Sequence, residues 1–92
     1  MGATFEWDPA KDDANRRKHG VSFREAISAF MDPLSITVPD PDHSVEEERF
    51  LLLGENHKSQ YLVVSNTDRK DRIRIISVRR ADRRERREYE QG

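Results

Sequence analysis

The stretch from Asp71 to Arg80, DRIRIISVRR, alternates arginine with isoleucine as a strand does, then breaks the alternation at Ile75 and Ile76. Successive strand side chains point to opposite faces. A regular strand would therefore put Ile73, Ile75, Ser77 and Arg79 on one side and Arg72, Arg74, Ile76 and Val78 on the other. Both faces would be mixed, and neither suits a sheet with a buried side. A β-bulge near Ile75 and Ile76 removes the conflict: Ile73 and Ile75 or their neighbours turn consistently inward, and Arg74 and Arg79 come to the same side. Two converging guanidiniums there would make a bidentate phosphate clamp. Charge pattern by itself favours the plainer outcome, arginines that are solvated or paired with the many acids.

The rest of the chain supplies the elements such a strand needs. Phe5 and Trp7 lie on one side of a short strand in ATFEWD. Asp8 is a candidate N-cap with Pro9 at the first helical position, and Gly20 ends that helix. Ser22 and Glu25 form a capping box, with Val21 able to staple onto Ala26. Phe23, Ala26, Ile27 and Phe30 then recur at i, i+3, i+4 and i+7, the apolar face of a second helix. LSITV places Leu34, Ile36 and Val38 on one face of a strand, which the Pro39–Pro41 segment breaks. RFLLL at 49–53, a turn through Gly54, Glu55 and Asn56, YLVVSNT at 61–67, a polar turn at 68–71 and the arginine-isoleucine strand read as an antiparallel meander. ADRRERREYE closes as a helix, with Asp82 and Glu85 spaced as N-cap and N3 partner. The order strand, helix, helix, four strands, helix predicts an α+β fold, an antiparallel sheet packed on helices, in one domain over residues 1–92.

Composition narrows the function classes. Charged residues make up 38% of the chain against 34% hydrophobic, yet the apolar residues fall in periodic blocks, so a folded domain is expected. There is no cysteine and no apolar run longer than FLLL, which excludes disulfides, thiol chemistry and a membrane span and points to a cytoplasmic protein. The net charge of −1 hides a polarity: residues 32–48 carry six acids and no lysine or arginine, whereas residues 69–92 carry ten bases and five acids. The basic end suits phosphates, and the acidic segment a basic partner or a shield. No P-loop, dinucleotide glycine pattern, G-x-S-x-G or zinc-finger spacing is present, so no cofactor is expected.

Individual residues with reactive side chains admit plain readings. His19 before Gly20 fits a C-terminal cap on the helix dipole. Lys11, Asn15 and Lys18 form a polar stripe that could face a nucleic-acid strand, although any exposed helix shows such a stripe. In DPDHSVEEER, His43 with Glu47 could be a proton-transfer pair, and Asp40, Asp42 and His43 could hold a divalent metal, but the proline-rich spacing matches no ligand frame and no metal is expected. Tyr61 and Tyr89 could stack on bases, although packing is the safer assignment.

Taken in order, FEWDPAK, N..KHGVSF.EA...F.DP, D..HS..EER and RIRIIS.R.A...ER..YE, from Phe5 to Glu90, resemble the BrnT family of bacterial type II toxins. The resemblance implies a RelE-like fold and a metal-independent endoribonuclease that cleaves RNA and stops translation. It also implies an antitoxin of the BrnA kind, similar to ribbon-helix-helix DNA-binding proteins. Two toxins would flank an antitoxin dimer, and the complex would bind its own promoter DNA. Arg74 and Arg79 fall in the strand motif and are the expected phosphate stabilisers. His19 or Glu47 is then the base or acid, with Lys18, Arg49, Arg72 and Lys11 as RNA-binding cations. Where the family frequently carries histidine or tyrosine, this chain has Asn66, which can hydrogen-bond a phosphate but cannot exchange a proton near neutral pH. If proton transfer belongs to that position, the alternative is a catalytically weak or inactive binding module acting through its antitoxin in promoter autoregulation.

Overall fold

In the computed structural model, which describes residues 3–43, 45 and 47–92, Ser65 stands opposite Ser77 and Asn66 opposite Ile75. Ile76 is therefore an extra residue, and the strand is bulged where its alternation breaks. On one face the result is Ile73, Ile75 and Val78, the last two each 1% exposed; Arg74, Ser77 and Arg79 share the other.

The strands are β1 (Thr4–Glu6), β2 (Ile36–Pro39), β3 (Arg49–Glu55), β4 (Tyr61–Arg69) and β5 (Arg72–Arg80). They form one sheet in the order β1-β5-β4-β3-β2. From β2 to β5 every pairing is antiparallel, while β1 adds to β5 in parallel, placing Phe5 beside Ile73 and Glu6 beside Arg74. The β4–β5 link is tight, since Arg69 and Arg72 already pair, and Lys70 takes a left-handed φ of 58°. Three differences from the sequence reading have local causes. Leu34 is exposed because Asp32 binds its amide in a turn, and β2 starts only at Ile36. Gly54 belongs to β3 and not to a turn: a Cβ there would lie 2.7 Å from the Ala29 carbonyl oxygen. The reversal lies beyond it, at Asn56, whose side-chain oxygen accepts the amides of Lys58 and Gln60.

Both helix starts near the N-terminus carry their expected caps. Asp8 accepts the Ala10 amide ahead of α1 (Pro9–His19), and Gly20, at φ 72°, closes it. Ser22 and Glu25 complete the capping box of α2 (Phe23–Ala26). The α-helix lasts only that far and tightens into a 3₁₀ turn over Ile27–Met31. The apolar face survives the change: Phe23, Ala26 and Ala29 are fully buried with Val21, Leu62 and Val64, and Phe5, Trp7, Ile27 and Phe30 pack around them.

Helix α1 joins this core through a polar side chain. Asn15 is its one buried residue. Beyond Arg74, β1 no longer covers β5, and there the Asn15 amide takes over the edge: its Nδ2 donates to the Val78 carbonyl (2.8 Å) and its Oδ1 accepts the Val78 amide (3.1 Å). The same Nδ2 donates to Val21 O at 3.0 Å. A side chain thereby stands in for one residue of a neighbouring strand and satisfies backbone groups that burial would otherwise orphan. It follows that Lys11, Asn15 and Lys18 do not form an open stripe, because the middle residue faces inward.

Helix α3 (Arg83–Gln91) packs on the opposite face of the sheet, where Tyr89 joins Leu53 and Val63, with Leu51, Tyr61 and Ala81 at the margin. The Tyr89 hydroxyl donates to Asp32 at 2.6 Å, and the Tyr61 and Tyr89 rings meet edge to face. Both tyrosines thus serve packing. Among the described residues no helix is long and apolar enough to cross a membrane.

Two outcomes follow from these anchors. Asn15→Ala strips partners from three buried backbone groups and should cost about 2–4 kcal/mol of stability, read from urea unfolding; a loss under about 0.5 kcal/mol would contradict the strand-mimic role. The hydrogen bond to Asp32, with burial, pushes the Tyr89 hydroxyl up to about 12. Its stabilising effect is complete below the ordinary tyrosine value of about 10 and disappears as pH rises through the folded value. Ultraviolet titration should show one late-ionising tyrosine that is absent in Tyr89→Phe.

Candidate functional site

The face that carries Arg74 and Arg79 is only partly covered by α3. Along β3 and β4 the same face presents Arg49, Leu51 and Leu53, then Thr67, Ser65 and Val63, by direct cross-strand register. Apolar residues gather under the helix, and polar ones occupy the uncovered half.

That uncovered half is a cleft of about 410 Å³. Leu51, Ser65, Ile76 and Ser77 form its floor, Arg49 and Arg79 approach from β3 and β5, and Asp40, Asp42 and His43 line its rim. The bulged residue itself is therefore part of the floor. A second hollow of about 290 Å³ adjoins it, lined by Asp42, His43, Val45, Glu47 and Arg49.

Arg79 is held by the first turn of α3. Its Nη1 and Nη2 each donate to Glu85 at 2.8 Å, a fork matched to a carboxylate. Glu85 also accepts the Asp82 amide at 2.9 Å while Asp82 accepts the Glu85 amide, so the capping box that starts α3 also aims the arginine. The hydrogen bonds from Arg79 draw the Glu85 carboxyl below its ordinary range against the opposing effect of burial, and the same pair raises Arg79.

The rim is built by a short 3₁₀ turn over Pro41–His43 that follows β2. The Asp40 amide donates to the Arg49 carbonyl at 2.8 Å, extending the β2–β3 pairing by one bond. The His43 amide donates back to the Asp40 carbonyl, and the two side chains meet at 2.9 Å between Nδ1 and Oδ2. Asp40 is buried and His43 is open to solvent.

The structure does not bring all of the sequence candidates together. Arg79 and Arg49 share the cleft, with Glu47 in the adjoining hollow and paired to Arg69. Arg74 shares the face but bonds Glu6 at 2.8 Å, roughly 13 Å along the strand from Arg79, so the two do not converge on one point. Asn66 faces the other way: it is 5% exposed, and its amide donates to Val64 O and Phe50 O. His19, Lys18 and Lys11 sit on α1, and neither they nor the exposed Arg72 line the cleft. No group of three or more His, Cys, Asp or Glu side chains among the described residues is placed to hold a metal ion. Sequence reasoning did not reach the Asp40–His43 contact or the second role of Glu85. The i, i+3 spacing of each was available, but the burial of Asp40 and the docking of α3 were not.

Comparison with known proteins identifies the relatives of this architecture. A family model described as "Ribonuclease toxin, BrnT, of type II toxin-antitoxin system" matches residues 7–85. The fold is similar to the 1.1 Å crystal structure of the Brucella abortus ribonuclease toxin BrnT, with TM-score 0.71 and 21% identity, covering 89% of this chain and 100% of that one. At such identity the likeness speaks for the fold alone. No curated protein matches the chain significantly.

Glu85→Gln keeps the capping geometry and removes the charge that holds Arg79. Because the Glu85 carboxyl is depressed on folding, its contribution is present above the ordinary carboxylate value and is lost as pH falls below it. The variant should lose at most about 1 kcal/mol near pH 7, solvent screening of a partly exposed pair limiting the effect, and less at pH 3. Urea unfolding at the two pH values checks this, and an equal loss at both would contradict it.

Proposed function

The chain belongs to the BrnT family of type II toxin-antitoxin ribonuclease toxins, and from that premise we propose that it is a metal-independent endoribonuclease that arrests translation. The observation that supports this reading is the cleft in which Arg49 and Arg79, from two strands of one sheet, flank a floor with two serine hydroxyls. Cleavage of RNA by its own 2′-oxygen builds negative charge on the phosphorus oxygens, and fixed guanidiniums near that charge lower the barrier most when the protein holds them in place beforehand. The Arg79–Glu85 fork supplies such fixity, and the exposed half of Arg79 remains for a phosphate. Arg74, on the same face, is a further phosphate contact for the flanking strand if it exchanges Glu6 for RNA. Lys11, Lys18 and Arg72, all exposed, are proposed as outlying RNA contacts.

The antitoxin is proposed to be a ribbon-helix-helix protein of the BrnA kind, its dimer flanked by two toxins and joined to promoter DNA, with the toxin acting as one domain in the cytoplasm. The exposed acidic turn around Asp42 beside the cleft suits a basic segment of such a partner, which would then cover the arginines.

Purified chain, free of antitoxin and of host nucleases, should cleave RNA in the presence of EDTA. Arg79→Ala should lower the rate about 10²–10³-fold and relieve growth arrest on induction. RNA left intact by the parent chain, or cleaved only with a divalent cation, would contradict the reading. Tight antitoxin binding without growth arrest would favour a non-catalytic binding module.

A further inference from the structure

Cleavage by a 2′-oxygen needs a group that takes the 2′-hydroxyl proton, and arginine, always charged, cannot do so. The chain has three histidines. His57 is bonded to Ser28 at Nδ1 (3.0 Å), on the turn between β3 and β4, and His19 closes α1; neither lines the cleft. Glu47 is engaged by Arg69. His43 alone among the histidines stands at the mouth between Arg49 and Arg79.

We propose that His43, oriented by the Asp40 carboxylate, is the general base of the cleft; this rests on the ribonuclease reading above. An ionised carboxylate only accepts hydrogen bonds, so its contact at 2.9 Å puts the proton on Nδ1 and leaves the Nε2 lone pair for substrate. The pair has the built character that a chance surface contact lacks. The Asp40 side chain is 11% exposed and its backbone is tied to β3, whereas the His43 side chain is 65% exposed and reachable. Asp40 is thus a positioning residue and His43 a catalytic one.

The step balances without any further reagent. Nε2 takes the 2′-hydroxyl proton, the 2′-oxygen forms a bond to phosphorus, and the bond from phosphorus to the 5′-oxygen breaks. The departing 5′-oxygen takes a proton from water at the open mouth, and the hydroxide so formed takes the proton from Nε2, which restores the base. The products are a 2′,3′-cyclic phosphate and a 5′-hydroxyl. The charged groups facing His43 are Asp40 and Asp42 from its own turn, Arg49 and Glu47 from β3 and the residues before it, and Arg79 from β5. The arginines take the phosphate, which leaves the imidazole to take the proton.

The test uses the full chain, a short oligoribonucleotide, and its 2′-O-methyl counterpart as an uncleavable ligand. His43→Gln should cleave about 10²–10⁴-fold more slowly with unchanged affinity for the 2′-O-methyl strand. His43→Ala should regain activity when imidazole is added. Asp40→Asn should slow cleavage about tenfold and displace the rising limb of the pH–rate profile, which a merely structural role would not do. His57→Gln, a surface control, should match the parent. A parent chain that cleaves nothing overturns the ribonuclease reading and this inference with it. A parent that cleaves, is silenced by Arg79→Ala and is unaffected by His43→Gln overturns the inference alone. Loss of activity in His43→Ala without imidazole rescue, at unchanged circular dichroism, also counts against it.

Discussion

One unpaired residue, Ile76, sets the facing of every side chain that follows it in β5. Were Ile76 paired in a regular ladder and not bulged out of it, strand alternation would carry Arg79 to the face that holds Ile73 and Ile75, beneath α2, and turn Val78 outward. Burying an unpaired guanidinium costs several kcal/mol, more than a domain of this size can lose. With Ile76 bulged out of the ladder, Val78 completes the core and Arg79 reaches α3. The bulge residue then appears in the cleft floor, which joins the folding constraint to the candidate chemistry.

The bulge is held from two sides. On the core side Asn15 grips both backbone groups of Val78, two residues beyond Ile76, and thereby fixes the strand register where it has just shifted. On the cleft side Glu85 grips Arg79 while capping α3. Tyr89, near the far end of α3, bonds Asp32, which also accepts the Glu55 and Leu34 amides and whose carboxyl is held below its usual range by these bonds despite burial. Sheet, helix and arginine are therefore positioned by a small set of polar contacts spread over both faces.

Local chemistry explains why some of this was legible in the sequence. Caps at Asp8, Ser22 and Asp82 depend on residues within one turn, and the bulge depends on alternation within one strand, so each could be read from a short window. Docking could not. Nothing near Asn15 distinguishes a buried strand mimic from an exposed member of a lysine-flanked stripe, since its partners lie six and 63 residues away. Gly54 reads as a turn glycine until Ala29 is seen to press against it. Asn66 sits beside the arginine strand in the sheet yet points to the opposite face, and Arg49 reaches Arg79 only through three aligned strands. The Asp40–His43 contact spans three residues, but its significance comes from where β2 and β3 leave it.

The role of Ile76 is most directly tested by deleting it and following equilibrium unfolding in urea. Deletion of Ile76 alone leaves Ile75, Ser77, Val78 and Arg79 in unbroken alternation on their present faces, so the cooperative transition should persist, whereas deletion of Ile76 together with Ser77 turns Val78 outward and Arg79 into the core and should abolish it. Loss of the transition on the single deletion, or its persistence at the parent midpoint in the double deletion, would contradict the role of Ile76 as the extra residue.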